Sequence, residues 1–190
     1  MIESIRNAVS ESLRLKQSFF TANEEKIAAV AREICRILEN GNKVLLFGNG
    51  GSAADAQHIA CEWVGRFSRE RRPLAAVALT TDTSILTAVS NDYGYEEVFA
   101  RQIRALGKPG DASIGISTSG NSPNVCLANE AAREMGLITV GFTGCDGGKL
   151  GAAVQYHLHV PHRASARVQE VHIMIGHILC ALIDENLKGL

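Results

Sequence analysis

The sequence lacks a large net charge, a membrane-length apolar run and a paired-cysteine motif. Its formal net charge is −1 over 190 residues, so we expect neither nucleic acid nor an anionic membrane as a partner. No uninterrupted apolar run approaches the ~20 residues that span a bilayer. The N-terminal stretch MIESIRNAVSESLRLK also lacks a signal-peptide core. We therefore expect a cytoplasmic protein.

The five cysteines are odd in number, scattered along the chain and absent from any C-x-x-C pair. This usage predicts reduced thiols rather than a disulfide framework or a zinc knuckle. Repeats, low-complexity tracts and linkers are also missing. With 46% hydrophobic residues, the sequence predicts one domain over residues 1–190.

Apolar periodicity divides the chain into three parts. Two amphipathic helices are predicted over residues 1–40, with Thr21 and Glu24 capping the second and Gly41 ending it. Strands alternate with helices over residues 43–161, and a long helix is predicted over 165–188. This alternation predicts an α/β fold with a doubly wound, five-stranded parallel sheet in the flavodoxin-like order 2-1-3-4-5.

A glycine-rich turn follows the first predicted strand. Residues 44–47 form a short apolar run that is typical of a buried strand, and the next four are Gly-Asn-Gly-Gly. Ser52 with Asp55 three residues later predicts a helix N-cap. A strand, a glycine loop and a helix start make an anion site, because free N–H groups and the positive end of the helix dipole face the loop.

The third predicted strand also ends in an unusual loop. Residues 117–122, Ser-Thr-Ser-Gly-Asn-Ser, have four hydroxyls in six residues, and Pro123 opens the next helix with Ser122 as its predicted cap. In the order 2-1-3-4-5, strands 1 and 3 are neighbours, and ligands bind at the point where their connections diverge. Both loops are therefore predicted to form one phosphate-binding crevice.

Acid–base side chains are predicted just beyond this crevice. His58 and Glu62 are four residues apart on one helix face, with His58 about 9 Å along the helix from its start. Gln169, His172 and His177 interrupt the otherwise apolar C-terminal helix, where burial of a polar side chain requires a partner. The separate group at His157, His159 and His162 is predicted to be structural or exposed.

A dinucleotide enzyme is the main alternative suggested by the glycines alone. Gly48-x-Gly50-x-x-Ala53 fits the loose fingerprint between a strand and a helix. However, Asp82 lies about thirty residues after the loop, whereas a ribose-binding acid is expected at about twenty. The hydroxyl loop, residues 117–122, would also occupy the space that the second nucleotide of a dinucleotide needs.

Several motifs together resemble one family. GNGGSAADAQH, NDYGY, GISTSGNS and RVQEVHIMIGH, in this order, resemble the sugar isomerase (SIS) domain superfamily and, within it, the sedoheptulose 7-phosphate isomerases. The resemblance covers nearly the whole chain. It implies a homotetramer that converts the ketose sedoheptulose 7-phosphate to D-glycero-D-manno-heptose 7-phosphate through an enediol, for bacterial heptose and lipopolysaccharide precursors.

The resemblance also implies roles for individual residues. Glu62 would be the catalytic base and His177 the catalytic acid. The implied substrate contacts are Asn49, Gly50, Gly51, Ser52, Glu62, Asn91, Asp92, Ser117, Thr118, Ser119, Ser122 and Gln169. Zinc, one ion per subunit, would be bound by His58, Glu62, Gln169 and His177. Some members have Asp three residues before this glutamine, where the present chain has Ala166.

Two questions stay open at the level of sequence. A similar non-catalytic branch associates with the bacterial replication initiator but lacks the residues matching Glu62 and His177, and isomerisation of a different sugar phosphate is a further alternative.

Gln169 and His177 are eight residues apart, a rise of ~12 Å on one helix. We therefore hypothesise that His177 completes a site whose Glu62 belongs to another chain. The alternative is convergence within one chain.

Overall fold

The computed structural model describes residues 1–187 and contains a five-stranded, all-parallel sheet. The strands are β1 (Val44–Gly48), β2 (Ala76–Ala78), β3 (Ala112–Ser117), β4 (Ile138–Thr143) and β5 (Tyr156–His159). Their order is β2-β1-β3-β4-β5, which confirms the predicted topology. β1 and β3 are buried along their whole length, as expected for central strands covered by helices on both faces.

Within residues 1–187, seven α-helices form the layers on either side of this sheet. They are α1 (Ile2–Glu39), α2 (Gly51–Val64), α3 (Thr83–Tyr93), α4 (Val98–Leu106), α5 (Pro123–Glu134), α6 (Gly148–Ala153) and α7 (Ser165–Asn186). One core lies between the sheet and α1, α2 and α7. A second core lies on the opposite face, against α4, α5 and α6.

The N-terminal region is one helix, so the prediction of two helices was wrong. α1 runs for 38 residues, about 57 Å, through Thr21 and Glu24. A capping pair acts only where the backbone leaves the helix, and the sequence has no Gly or Pro between residues 2 and 40 to interrupt it. Its second half is buried against the sheet and α7, whereas most of its first half is exposed.

The start of α2 also differs from the prediction. Its N-cap is Gly50, the helix begins at Gly51, and no side chain caps it. Ser52 and Asp55 therefore lie inside the helix rather than at its cap. The glycine at position 50 adopts φ +56°, a conformation that L-residues rarely take.

The C-terminal helix α7 packs against both α1 and α2. It ends at Asn186, two residues before the predicted boundary, and residue 188 lies outside the described residues. By length and composition alone, α7 is apolar enough to cross a membrane. Its buried face, which includes Val168, Val171, Ile175 and Leu179, is part of the core, as in other core helices of this kind.

Candidate active site

The glycine loop, residues 48–51, lies beside the hydroxyl loop, residues 117–122. Gly48 at the end of β1 pairs with Ile116 of β3, so the two loops leave the same edge of the sheet. A Cβ atom on Gly51 would lie 2.6 Å from Nε2 of Gln169. Glycine at this position therefore lets the Gln169 side chain of α7 rest directly on the loop backbone.

Three serine hydroxyls of the second loop form a cluster. Ser117 Oγ lies 3.0 Å from Ser122 Oγ and 3.3 Å from Ser119 Oγ. Ser119 Oγ also accepts a hydrogen bond of 3.1 Å from the backbone N–H of Asn121. Ser122 stands at the N-cap of α5, as predicted, but its side chain makes no capping bond and contacts Ser117 instead. Proline follows at the first position of the helix, as predicted.

Three helices begin around this cluster. α2 starts at the glycine loop and α5 at the hydroxyl loop. Thr118 Oγ1 lies 3.2 Å from Oγ of Ser165, the first residue of α7. Unpaired N–H groups and positive dipole ends favour an anion at such a point. The helix start at Ser165 was predicted, but its contact with Thr118 was not, because it joins residues 47 apart through tertiary packing.

The three acid–base side chains meet within one chain. His58 Nε2 lies 3.4 Å from Oε1 of Glu62, one turn away on α2. His177 Nε2 of α7 lies 3.3 Å from the same His58 Nε2. This geometry favours the alternative of convergence within one chain, because α2 and α7 pack closely enough to bring Glu62 and His177 to the same histidine. That a partner chain completes the site stays a prediction.

These distances allow a test of the expected zinc set. Tetrahedral coordination with bonds of about 2.0–2.1 Å places neighbouring ligand atoms about 3.3–3.4 Å apart, which matches both contacts of His58. Yet within residues 1–187 no group of three or more His, Cys, Asp or Glu side chains is already arranged to hold a metal ion. The donor types and the two distances at His58 fit zinc, while no described contact joins the Gln169 amide, which lies at Gly51, to His58.

Asn49 is held by a residue that the sequence analysis missed. Its amide donates to Asn124 Oδ1 at 2.9 Å, and the amide of Asn124 donates back to Asn49 Oδ1 at 2.9 Å. Tyr95 Oη donates to the same Asn49 oxygen at 3.3 Å. Asn49 and Asn124 line a cavity of about 580 Å³ together with residues 94–96 and Pro123. No sequence signal marks Asn124, a polar residue in the first turn of α5.

Asn91 and Asp92 lie apart from the clusters described above. Both are exposed in the last turn of α3, and the Asn91 amide donates to the Asp92 carboxylate at 2.8 Å. The following Gly94 and Tyr95 reach the cavity beside Asn49. The NDYGY turn is therefore adjacent to the site, while no described contact joins these two side chains to Glu62 or His177.

Burial shifts the pKa of two groups close to the site. Burial raises the pKa of Asp55 to about 6, against the opposing charge of His58, and its Oδ2 has no hydrogen-bond partner. His172 is fully buried on α7, and burial lowers its pKa to about 4 despite a hydrogen bond to the Thr143 carbonyl. His172 is therefore a neutral core residue.

The remaining histidines have structural contacts, as predicted. His157 and His159 stack at 5.4 Å on one face of β5, and His157 Nε2 lies 2.7 Å from Thr143 Oγ1. His162 faces Glu11 of α1 at 3.4 Å. None of these contacts involves the His58 cluster.

Comparison with known proteins places the sequence and the fold among relatives. A family model for the SIS domain matches residues 9–144. The phosphoheptose isomerase of Aquifex aeolicus is 54% identical over 185 residues, covering 97% of each chain. The structure of phosphoheptose isomerase from Neisseria gonorrhoeae has a TM-score of 0.91 at 47% identity, covering 96% of this chain and 98% of that one. The corresponding Francisella tularensis structure has a TM-score of 0.92 at 36% identity, covering 98% and 99%.

Proposed function

Because this chain belongs to the SIS domain family and, within it, to the phosphoheptose isomerases, we propose that Glu62 and His177 catalyse its aldose–ketose isomerisation. The reaction converts D-sedoheptulose 7-phosphate to D-glycero-D-manno-heptose 7-phosphate. The main structural support is the meeting of His58, Glu62 and His177 beside the two loops within one chain. A phosphate bound at the loops would direct the other end of the sugar toward these side chains.

The phosphate is bound by neutral donors. Ser117, Ser119 and Ser122 supply hydroxyls, and the starts of α2, α5 and α7 supply backbone N–H groups. Gly50 is the N-cap of α2, and Gly51 and Ser52 belong to its first turn. Thr118 and Gln169 complete the wall of the crevice. Both amide atoms of Asn49 are engaged by Asn124 and Tyr95, so we infer that Asn49 offers the substrate its backbone.

The proton transfers follow from the chemistry of the substrate. Glu62 removes a proton from C1 of the ketose while the C2 oxygen gains one, which forms the enediol. His177 moves the proton between the two oxygens, since imidazole both accepts and donates near neutral pH. Glu62 then returns its proton to C2, and the aldehyde forms at C1. The stacking of Phe67 on the His177 ring, at 5.8 Å, restrains the orientation of the imidazole.

We further propose that His58, Glu62, Gln169 and His177 bind one zinc ion. Two histidines, a carboxylate and an amide are suitable donors, and the distances at His58 support the assignment. A bound zinc ion would supply Lewis-acid stabilisation of oxygen atoms that develop negative charge. Glu62 and His177 would then have two roles, as ligands of the ion and as groups that transfer protons.

We propose a homotetramer on the basis of an uncovered apolar stripe on α1. Its members are 52–67% exposed: Ile2, Ile5, Val9 and Leu13. The same part of α1 contacts the first turns of α7, where Arg167 donates to the Ala8 carbonyl and Ser12 to Glu170. A neighbouring chain covering the stripe would therefore lie near Gln169. Exposed side chains such as Asn91 and Asp92 could then serve a site at a subunit interface.

The fold is that of a soluble enzyme, and we propose a cytoplasmic location and a role in making heptose precursors of lipopolysaccharide. The test of the function is direct. Purified protein is incubated with sedoheptulose 7-phosphate without nicotinamide, with and without zinc, and the products are identified by NMR. We expect the aldose isomer. Absence of turnover would overturn the proposal and favour a non-catalytic sugar-phosphate module, whereas turnover of a hexose or pentose phosphate alone would reassign the substrate.

A further inference from the structure

A fully buried ion pair joins the segment after α2 to the end of α7. Arg71 Nε donates to Asp184 Oδ1 at 2.7 Å, and the two side chains are 0% and 1% exposed. Asp184 Oδ2 accepts backbone N–H bonds from Ser68 at 3.0 Å and from Arg69 at 3.3 Å. The charge of Arg71 is thereby balanced and the carboxylate is saturated with donors, as a buried pair requires.

The rest of the guanidinium group binds the C-terminal end of α2. Arg71 Nη2 donates to the carbonyl of Glu62 at 2.8 Å, and Nη1 donates to the carbonyl of Trp63 at 2.9 Å and to that of Gly65 at 3.3 Å. Carbonyls of a last helical turn have no partner within the helix. Arg71 supplies these partners, and one of the three belongs to the residue that we assign as the base.

The same pair also reaches the His177 side of the site. Asp184 lies seven residues after His177, about two turns further along α7. Its bond to the Ser68 amide fixes the backbone next to Phe67, whose ring stacks on His177 at 5.8 Å. One ion pair therefore connects the backbone of Glu62, the helix of His177 and the aromatic ring that covers His177.

We propose that Arg71 and Asp184 are positioning residues that set Glu62 relative to His177 for proton transfer. This inference rests on the catalytic roles proposed for those two residues. Neither member of the pair touches the substrate. Proton transfer depends on sub-ångström placement, and a displacement of about 1 Å can lower a rate by about 10²-fold. Loss of the pair should therefore lower kcat rather than substrate binding.

A matched control exists at the other edge of the sheet. Asp111 is buried just before β3, pairs with Lys43 at 2.5 Å and accepts backbone N–H bonds from Lys43 and Lys108. It therefore resembles Asp184 in burial, cationic partner and number of amide donors. Asp111 precedes β3, whereas the active site lies beyond the carboxyl ends of the strands. A purely structural role would make Asp184→Asn and Asp111→Asn equivalent in activity once their stabilities are matched.

The experiment compares Asp184→Asn, Asp111→Asn, Arg71→Lys and Glu62→Gln with the wild type. Thermal midpoints are measured first, and kcat, KM and the pH profile are then measured for each variant at the same interval below its own midpoint. We expect Asp184→Asn to lower kcat at least ~10-fold more than Asp111→Asn, with KM within ~3-fold of wild type and an unchanged profile shape. Arg71→Lys retains the charge but cannot bind all three carbonyls, so it should show an intermediate loss of kcat.

Equal kcat in Asp184→Asn and Asp111→Asn would overturn the positioning role. If Asp184→Asn yields no folded protein, kcat of Arg71→Lys is compared with kcat of Asp111→Asn instead, and equal values would again overturn the positioning role. Full activity in Glu62→Gln would instead overturn the assignment of the base, which is a different failure from that of the ion pair.

Discussion

The amides of Asn49 and Asn124 donate to one another, at 2.9 Å in both directions, and thereby join the glycine loop to the first turn of α5. Asn124 is 3% exposed, whereas Asn49 is half-buried where the pair borders the cavity of about 580 Å³. The two loops that bind the phosphate in our proposal are consequently held at a fixed separation by a pair of side chains.

Replacing Asn124 by leucine should weaken substrate binding. The change leaves both amide atoms of Asn49 without their buried partner and frees the glycine loop to move. We expect KM to rise about 10-fold with a smaller change in kcat. Asn129 offers a control, because it is buried later in α5. Asn129→Leu should change the thermal midpoint, and an equal rise of KM in both variants would refute the loop-joining role.

Glu62→Gln preserves the shape of the side chain but removes the base. We expect kcat to fall by ~10²-fold or more, with substrate still bound, because a positioned general base contributes about that factor. Isothermal titration with the substrate checks binding, and product analysis checks turnover. The neighbouring Glu70, exposed and paired with Arg66 at 3.9 Å, provides Glu70→Gln as a control that should retain activity. A normal kcat in Glu62→Gln would reject the assignment.

His58→Ala should reduce bound zinc. His58 lies within 3.4 Å of both Glu62 and His177, so its loss removes the shared neighbour of the proposed ligand set. Elemental analysis of protein prepared without chelator should show about one zinc ion per wild-type chain and much less in the variant. His159→Ala, on β5, is the control and should keep the wild-type content. Absence of zinc from fully active wild type would disprove the metal site.

Mixed oligomers of Glu62→Gln and His177→Ala subunits should remain inactive. One chain already brings both side chains to His58, so every site in such an assembly lacks one of them. The two variants are co-expressed with different tags and purified through both, and turnover is compared with each parent variant. Recovery of activity would show that Glu62 and His177 come from different chains after all.

His172 should make stability depend on pH. Its pKa is about 4 in the folded chain, because of burial, and about 6.5 when unfolded. Its neutral form therefore stabilises the fold fully above pH 6.5, and this contribution is lost as pH falls from there toward 4. Between pH 7.5 and 5 the loss is about 2 kcal/mol. In urea denaturation, His172→Gln should lose less stability over this interval than wild type. Equal losses would contradict the buried neutral state.

Much of the fold followed from local patterns, because buried strands, glycine turns and proline at a helix start each have a sequence signal. The adjacency of the two loops followed from strand order, and the contact between His58 and Glu62 followed from helix periodicity. The continuity of α1 could not be predicted from the sequence, because a capping pair is indistinguishable in sequence from the same residues within a helix. The Asn49–Asn124 exchange and the Arg71–Asp184 pair, 113 residues apart, depend on tertiary packing.

The close approach of Gln169 to the backbone at Gly51 has an evolutionary consequence. A Cβ at position 51 would fall within 2.8 Å of three side-chain atoms of Gln169, so each residue limits what the other can become. In a saturation library, alanine at 51 should require the flexible end of the Gln169 side chain to move off the loop, so variants that depend on the amide in its present place should retain glycine at 51. Positions 51 and 169 are thus predicted to covary among related sequences, although 118 positions separate them in the chain.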